Sequence, residues 1–115
     1  MLISQYAELQ QDDQTEAREN ERLAIDHSIA LMERAEREEQ TAADVANAIL
    51  FVSRLWTVLI EDLASPSNGL PNEIRAQIIS IGIWLLREIE RIRSGEIKSF
   101  GDAIMVSKAI RGGLL

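Results

Sequence analysis

The sequence predicts an all-α fold: a compact four-helix bundle preceded by a polar N-terminal arm. Three observations carry this. Apolar residues recur at helical spacing through three long segments and one short one. Thr/Ser-x-x-Asp patterns, prolines and glycines divide those segments at the places where helices start and stop. No alternating β pattern or hairpin turn appears anywhere. At 115 residues the chain is one domain, with residues 1–14 as the arm and residues 15–115 as the helical body.

The arm carries paired Gln and Asp residues and one aromatic, Tyr6, a composition poorly suited to packing. Helix one is expected from about Thr15 to Gln40. Ala24, Ile25, Ser28, Ile29, Leu31, Met32 and Ala35 fall on one stripe, with Asp26, Glu33 and Arg37 opposite. Glu33 and Arg37 are spaced as a favourable i,i+4 pair.

Thr41-Ala42-Ala43-Asp44 has the spacing of a capping box and starts helix two. Its broad apolar face holds Val45, Ile49, Val52, Leu55, Trp56, Leu59, Ile60 and Leu63. Asp44, Asn47, Arg54, Thr57, Glu61 and Asp62 form the polar face, but Leu50, Phe51 and Val58 intrude on it. A helix apolar on nearly all sides is either central in a bundle or covers a partner. Glu61 and Asp62 stand at the helix C-terminal end, where the macrodipole disfavours acids. They are either solvated or paired with an arginine such as Arg75.

Pro66 ends helix two, and Pro71 suits the first turn of helix three because its missing N–H costs nothing there. The stripe of helix three, Ile74, Ile78, Ile81, Gly82, Leu85, Leu86, Ile89 and Ile92, runs to about Arg93. Gly82 costs about 1 kcal/mol of helix propensity relative to Ala, so a close approach by another helix is expected there. Ser94-Gly95 supplies a glycine stop. Ser99-Phe100-Gly101-Asp102 repeats the capping spacing and opens a last helix with Ala103, Ile104, Val106 and Ile110 inward.

Charge and composition exclude several functions. Residues 1–40 hold eleven acids against four arginines, whereas residues 41–115 are balanced. An acidic sleeve on a neutral body repels phosphate backbones, so direct nucleic-acid binding is not expected. There is no cysteine, hence no thiolate chemistry or Cys-type zinc site. His27 is the sole histidine and has no nucleophile matched to it; a structural role is expected. No Glu-x-x-His repeat or phosphate-cradling glycine loop is present, so neither cofactor, metal nor enzymatic activity is expected. No signal peptide is visible, and charges interrupt the apolar stretches before the ~20 residues of a membrane span. A cytoplasmic protein without membrane attachment is the expectation.

The tryptophans differ. Trp56 belongs to the apolar stripe of helix two and reads as core. Trp84 lies opposite the stripe of helix three, among Gln77, Ser80, Arg87, Glu88 and Arg91. Two readings stay open for it: an interface anchor, or burial of helix three on both sides. Trp84, Arg87 and Arg91, with Leu50, Phe51 and Val58, are the candidate partner-binding residues.

Trp56 with Asp62, then Asn68-Gly69-Leu70-Pro71, Ile74-Arg75-Ala76 and Ile79-Ser80-Ile81-Gly82-Ile83-Trp84, followed by Gly95 and Ile110-Arg111-Gly112-Gly113-Leu114, form a fairly specific combination. It resembles the FlaF family of flagellar biosynthesis regulators of α-proteobacteria over residues 41–115. In the first forty residues Tyr6 and the Arg18…Glu21-Arg22 spacing are similar, but Ala17 stands where the family usually has proline. The resemblance implies a small helical protein needed for flagellin production and filament assembly. It further implies a chaperone-like partnership with flagellin and action with FlbT, a regulator of flagellin mRNA translation. Combined with the stripes, it leads us to expect an apolar groove beside helices two and three, with Trp84 near it, covering a flagellin terminal helix. The competing expectations are an FlbT cofactor acting through acidic helix one, and a self-associating bundle with a homodimer seam.

Overall fold

The computed structural model describes residues 2–113, with side chains from Thr15 onward. Four helices follow one another: α1 (Leu2–Ala35), α2 (Ala42–Ala64), α3 (Asn72–Arg93) and α4 (Gly101–Gly113). No strand occurs among the described residues. α2 lies between α1 and α3, and α4 closes the ring by packing on α1 and, less extensively, on α3. α1 and α4 run antiparallel, with Asp26 meeting Arg111 and Glu36 meeting Phe100. The core takes Ile25, Ile29 and Met32 from α1, Val52, Trp56 and Leu59 from α2, Ile78, Leu85 and Ile89 from α3, and Ala103 and Ile110 from α4.

α1 differs from its expected bounds at both ends. It starts at Leu2, so residues 2–14 are helical backbone rather than an arm that precedes the helix. It stops at Ala35, which leaves Arg37 beyond the helix and removes the i,i+4 relation to Glu33. Glu33 turns instead to α4, where Lys108 Nζ lies 3.7 Å from its carboxylate. Arg111 donates to Asp26 across the same interface at 2.8 Å. The acids of α1 thus serve partly to dock the two basic residues of α4. The side chain of Tyr6, and Leu114, lie outside the described residues.

The expected capping box of α2 is complete. Thr41 Oγ1 accepts from Asp44 N at 3.1 Å, and Asp44 Oδ2 accepts from Thr41 N at 3.0 Å. α4 starts by another route. Asp102 does not reciprocate with Ser99; the carboxylate of Glu36, just past the end of α1, accepts from Phe100 N and from Ser99 Oγ. Ser99 Oγ in turn accepts from Gly101 N at 2.9 Å. A distant acid therefore satisfies orphan donors at this N-terminus. α3 ends in a Schellman motif on Gly95, whose φ of 82° only glycine adopts without strain. Glu96 N donates to Arg91 O and Gly95 N to Ile92 O.

The α2–α3 corner is held by four linked devices. Asn68 Oδ1 accepts from Leu70 N at 3.0 Å, an Asx turn, while Asn68 Nδ2 donates to Asp62 Oδ2 at 3.1 Å. Pro71 caps α3 from just outside the helix, its carbonyl accepting from Arg75 N. Arg75 does not pair with Glu61 or Asp62. Its guanidinium donates to the carbonyls of Leu63 and Ser65, 3.0 Å each, and to Asn72 Oδ1. α2 has no basic residue in its last turn, so Arg75 supplies the positive charge its C-terminus lacks. Two turns further into the bundle Gly82 faces the fully buried ring of Trp56. A Cβ at position 82 would lie 2.7 Å from Trp56 Cε3, so the close approach expected at Gly82 is there.

Candidate partner-binding surface

α2 is the most apolar helix, and its core contribution uses only part of that character. Over its best 18-residue window the mean hydropathy is 1.5, yet only 22% of that window is buried. By length and composition it would suffice to cross a membrane, against the expectation from sequence that charges interrupt it too early. Here it packs between α1 and α3 and turns its unused apolar side chains outward.

Those side chains form a line. Leu50, Arg54 and Val58 are four residues apart and stack along one side of α2. Leu50 is 49% exposed and Val58 61%. Phe51 and Leu55 run parallel to them and are partly buried. From α1, His27 and Leu31 join the same surface, lining one depression with Asn47, Leu50, Phe51 and Arg54. Two further depressions continue along α2 between Ser53, Arg54, Thr57 and Val58, and between Phe51, Arg54, Leu55 and Val58. Leu23, 57% exposed, lies one turn before His27 on the same side of α1.

His27 has a packing role here. Its ring meets Phe51 edge to face, with centroids 4.7 Å apart and planes at 82°. That contact fixes Phe51 across the α1–α2 seam. Among the described residues no group of three or more His, Asp or Glu side chains could hold a metal ion.

Trp84, Arg87 and Arg91 occupy another side of the molecule. Gly82 faces α2, and Trp84 follows two residues later, about 200° round the helix. Trp84 is therefore turned away from α2 and is 39% exposed, neither buried on both sides nor free. Arg91 is engaged within the fold: it reaches the buried carboxylate of Glu88 at 3.3 Å and Glu96 at 3.4 Å. Arg87 is exposed. The structure thus brings Leu50, Phe51 and Val58 together and leaves Trp84, Arg87 and Arg91 apart from them.

Sequence reasoning did not place Leu23, His27, Leu31, Leu55 and Arg54 in this surface. Leu23, His27 and Leu31 became visible only when α1 was laid against α2. Arg54 carried a local signal, since its neighbours at i−4, i−3 and i+4 are Leu50, Phe51 and Val58.

A second, smaller cavity of about 160 Å³ joins the α2–α3 corner to α1. Ala17, Arg18 and Glu21 line it from one side, and Asp62, Ser67, Asn68, Gly69 and Leu70 from the other. Burial raises the pKa of Glu21, and the neighbouring Asp62 adds to the effect, while Arg18 and Arg22 oppose it. Two separate parts of the sequence pattern, Arg18…Glu21 and Asn68-Gly69-Leu70, meet at this point.

Searches of curated proteins and of solved structures found no match. The family model described as flagellar protein FlaF matches residues 2–114, nearly the whole chain. That span takes in both the Trp56–Gly82 lock and the Asn68–Arg75 corner, so the chain belongs to the FlaF family of flagellar proteins.

Proposed function

We propose that this protein is a non-enzymatic, cytoplasmic binding module that holds an amphipathic segment of flagellin on the α1–α2 seam. In doing so it supports flagellin synthesis, secretion and filament assembly. The observation that carries this reading is the mismatch in α2 between apolar character and burial. Leu50 and Val58 stand exposed along one side of α2 with Phe51 and Leu55 beside them, and Leu23 is exposed on α1 one turn before His27. An amphipathic segment that is poorly ordered alone gains most by laying its apolar face into such a strip.

Titration against monomeric flagellin, read as complex mass, tests the proposal. Wild-type protein is expected to form a one-to-one complex that Val58→Glu and Leu50→Glu weaken at least about tenfold, without loss of helicity. Trp56 is buried and Trp84 faces away from the seam, so the Trp emission should change little on binding. Full affinity in both variants would refute the seam assignment.

Action through FlbT and the acidic helix is the runner-up. Asp26, Glu33 and Glu36 are already engaged with α4, which leaves less of the acidic sleeve for a basic partner. A flagellin-blind protein that binds FlbT with steep salt dependence would favour that reading. A dimer in the absence of any partner would favour self-association on the same strip.

A further inference from the structure

The apolar strip has a cation at its centre and no acid around it. Arg54 lines all three depressions of the seam, and none of their other lining residues is acidic. On α2 its neighbours at i−4, i−3 and i+4 are Leu50, Phe51 and Val58, so no carboxylate stands at helical pairing distance. Its guanidinium has no ion pair among the described residues.

Resting on the reading of the seam given above, we propose that Arg54 selects the occupant. That occupant is an amphipathic helix whose apolar face is interrupted by one Asp or Glu. Charge complementarity identifies it. Covering the strip would remove Arg54 from water along with Leu50 and Val58. A buried guanidinium without a counter-charge is strongly unfavourable, whereas a carboxylate meets its planar fork with two parallel hydrogen bonds. An occupant whose apolar face carries no acid would leave Arg54 buried and unpaired, and one carrying Lys or Arg would add repulsion. Arg54 thereby discriminates among amphipathic helices that the apolar strip alone would accept equally. Phosphate-rich partners fit less well, because one cation on a protein of net charge −7 attracts a polyanion weakly.

The experiment measures monomeric flagellin binding to wild type, Arg54→Lys, Arg54→Gln and Arg54→Glu, with Ala109→Glu on α4 as a control for added acidity. Far-UV circular dichroism confirms that each variant keeps its helices. Arg54→Gln is expected to weaken binding about tenfold and Arg54→Glu further, with Arg54→Lys intermediate and Ala109→Glu near wild type. Changing the matching flagellin acid to Lys should restore at least about tenfold to Arg54→Glu. Wild-type binding that Arg54→Glu leaves unchanged, or lowers no more than Ala109→Glu does, would overturn this inference and leave the seam reading intact. Failure of wild type itself to bind flagellin would remove the seam reading, and the inference with it. Arg54-dependent binding to vesicles of equal phosphatidylcholine and phosphatidylglycerol would identify a lipid surface as the occupant and overturn the acidic-helix assignment.

Discussion

Replacing Gly82 with Ala tests the central joint of the bundle, because two opposing effects have different origins there. In an unconstrained helix interior the change would stabilise by about 1 kcal/mol through helix propensity. At this position the added methyl would lie 2.7 Å from Trp56 Cε3 and 3.1 Å from Ile60 Cδ1 and Cγ1. Ile60 is partly buried and its end can rotate away. Trp56 has no exposed surface, so its ring can yield only by shifting α2 against α3. Overpacking of this kind costs about 1–3 kcal/mol, and the overlap with an immobile ring argues for the upper half of that range. The net expectation is a destabilisation of about 1–2 kcal/mol, or roughly 5 °C in Tm for each kcal/mol. Urea unfolding followed by far-UV circular dichroism should show a lower midpoint with an unchanged slope. In a Trp56→Phe background, which removes the atoms that clash, the same Gly82→Ala change should be neutral or stabilising. The double-mutant cycle should then show a coupling of at least about 1 kcal/mol. A Gly82→Ala protein more stable than wild type, or a coupling near zero, would refute the argument that close approach selects glycine.

Other consequences follow from single contacts. Arg75→Ala removes the charged donor that serves Leu63 O and Ser65 O and should cost about 2 kcal/mol in urea unfolding, with Arg75→Lys recovering only part. Glu36→Ala uncaps α4 and should cost about 1 kcal/mol, seen in native-state hydrogen exchange as faster opening of α4 before the rest of the bundle. Val58→Glu should leave thermal stability within about 0.5 kcal/mol, since the side chain it replaces is largely exposed. Glu21 gives a pH-dependent expectation. Its folded pKa is raised, so ionisation is penalised in the native state, and its contribution to stability is greatest at low pH and lost as pH rises through that value. Glu21→Gln should therefore stabilise at neutral pH, with the gain shrinking as the solution is acidified into the carboxylate range. Thermal melts at a series of pH values check the sign; a gain that grows toward low pH would contradict it.

The elements of this fold that rest on neighbours in sequence were legible beforehand. The Thr41–Asp44 box, the Gly95 stop and the inward stripes of α2 and α3 depend on residues within one or two turns, where spacing states the physics directly. Errors arose where a local pattern competed with a distant partner. Ser99–Asp102 has capping spacing, but Glu36 arrives from α1 and takes the donors first. Glu33 and Arg37 have pairing spacing, but the helix stops between them and Lys108 takes the acid. The candidate surface residues are split between two sides of the bundle. Leu50, Phe51 and Val58 could be singled out because they break the polar face of their own helix. Trp84 stands on another side of the bundle, and a large aromatic on a polar face does not by itself reveal which side that face adjoins.

By itself, then, the sequence determined the helical class, the start of α2, the glycine that lets two helices meet and the excess of apolar residues on α2. Each is a property of a 3.6-residue period or of one backbone position, and needs no knowledge of neighbours. Only the tertiary structure decided that Arg75 closes the end of α2 and that α4 settles on the acids of α1. It also decided that His27 and Phe51 knit a seam with Arg54 on it, and that Trp84 looks elsewhere. Those outcomes depend on which helix faces share an interface and in what register. Side chains dozens of residues apart settle that jointly, through the volume they fill and the charges they leave to be matched.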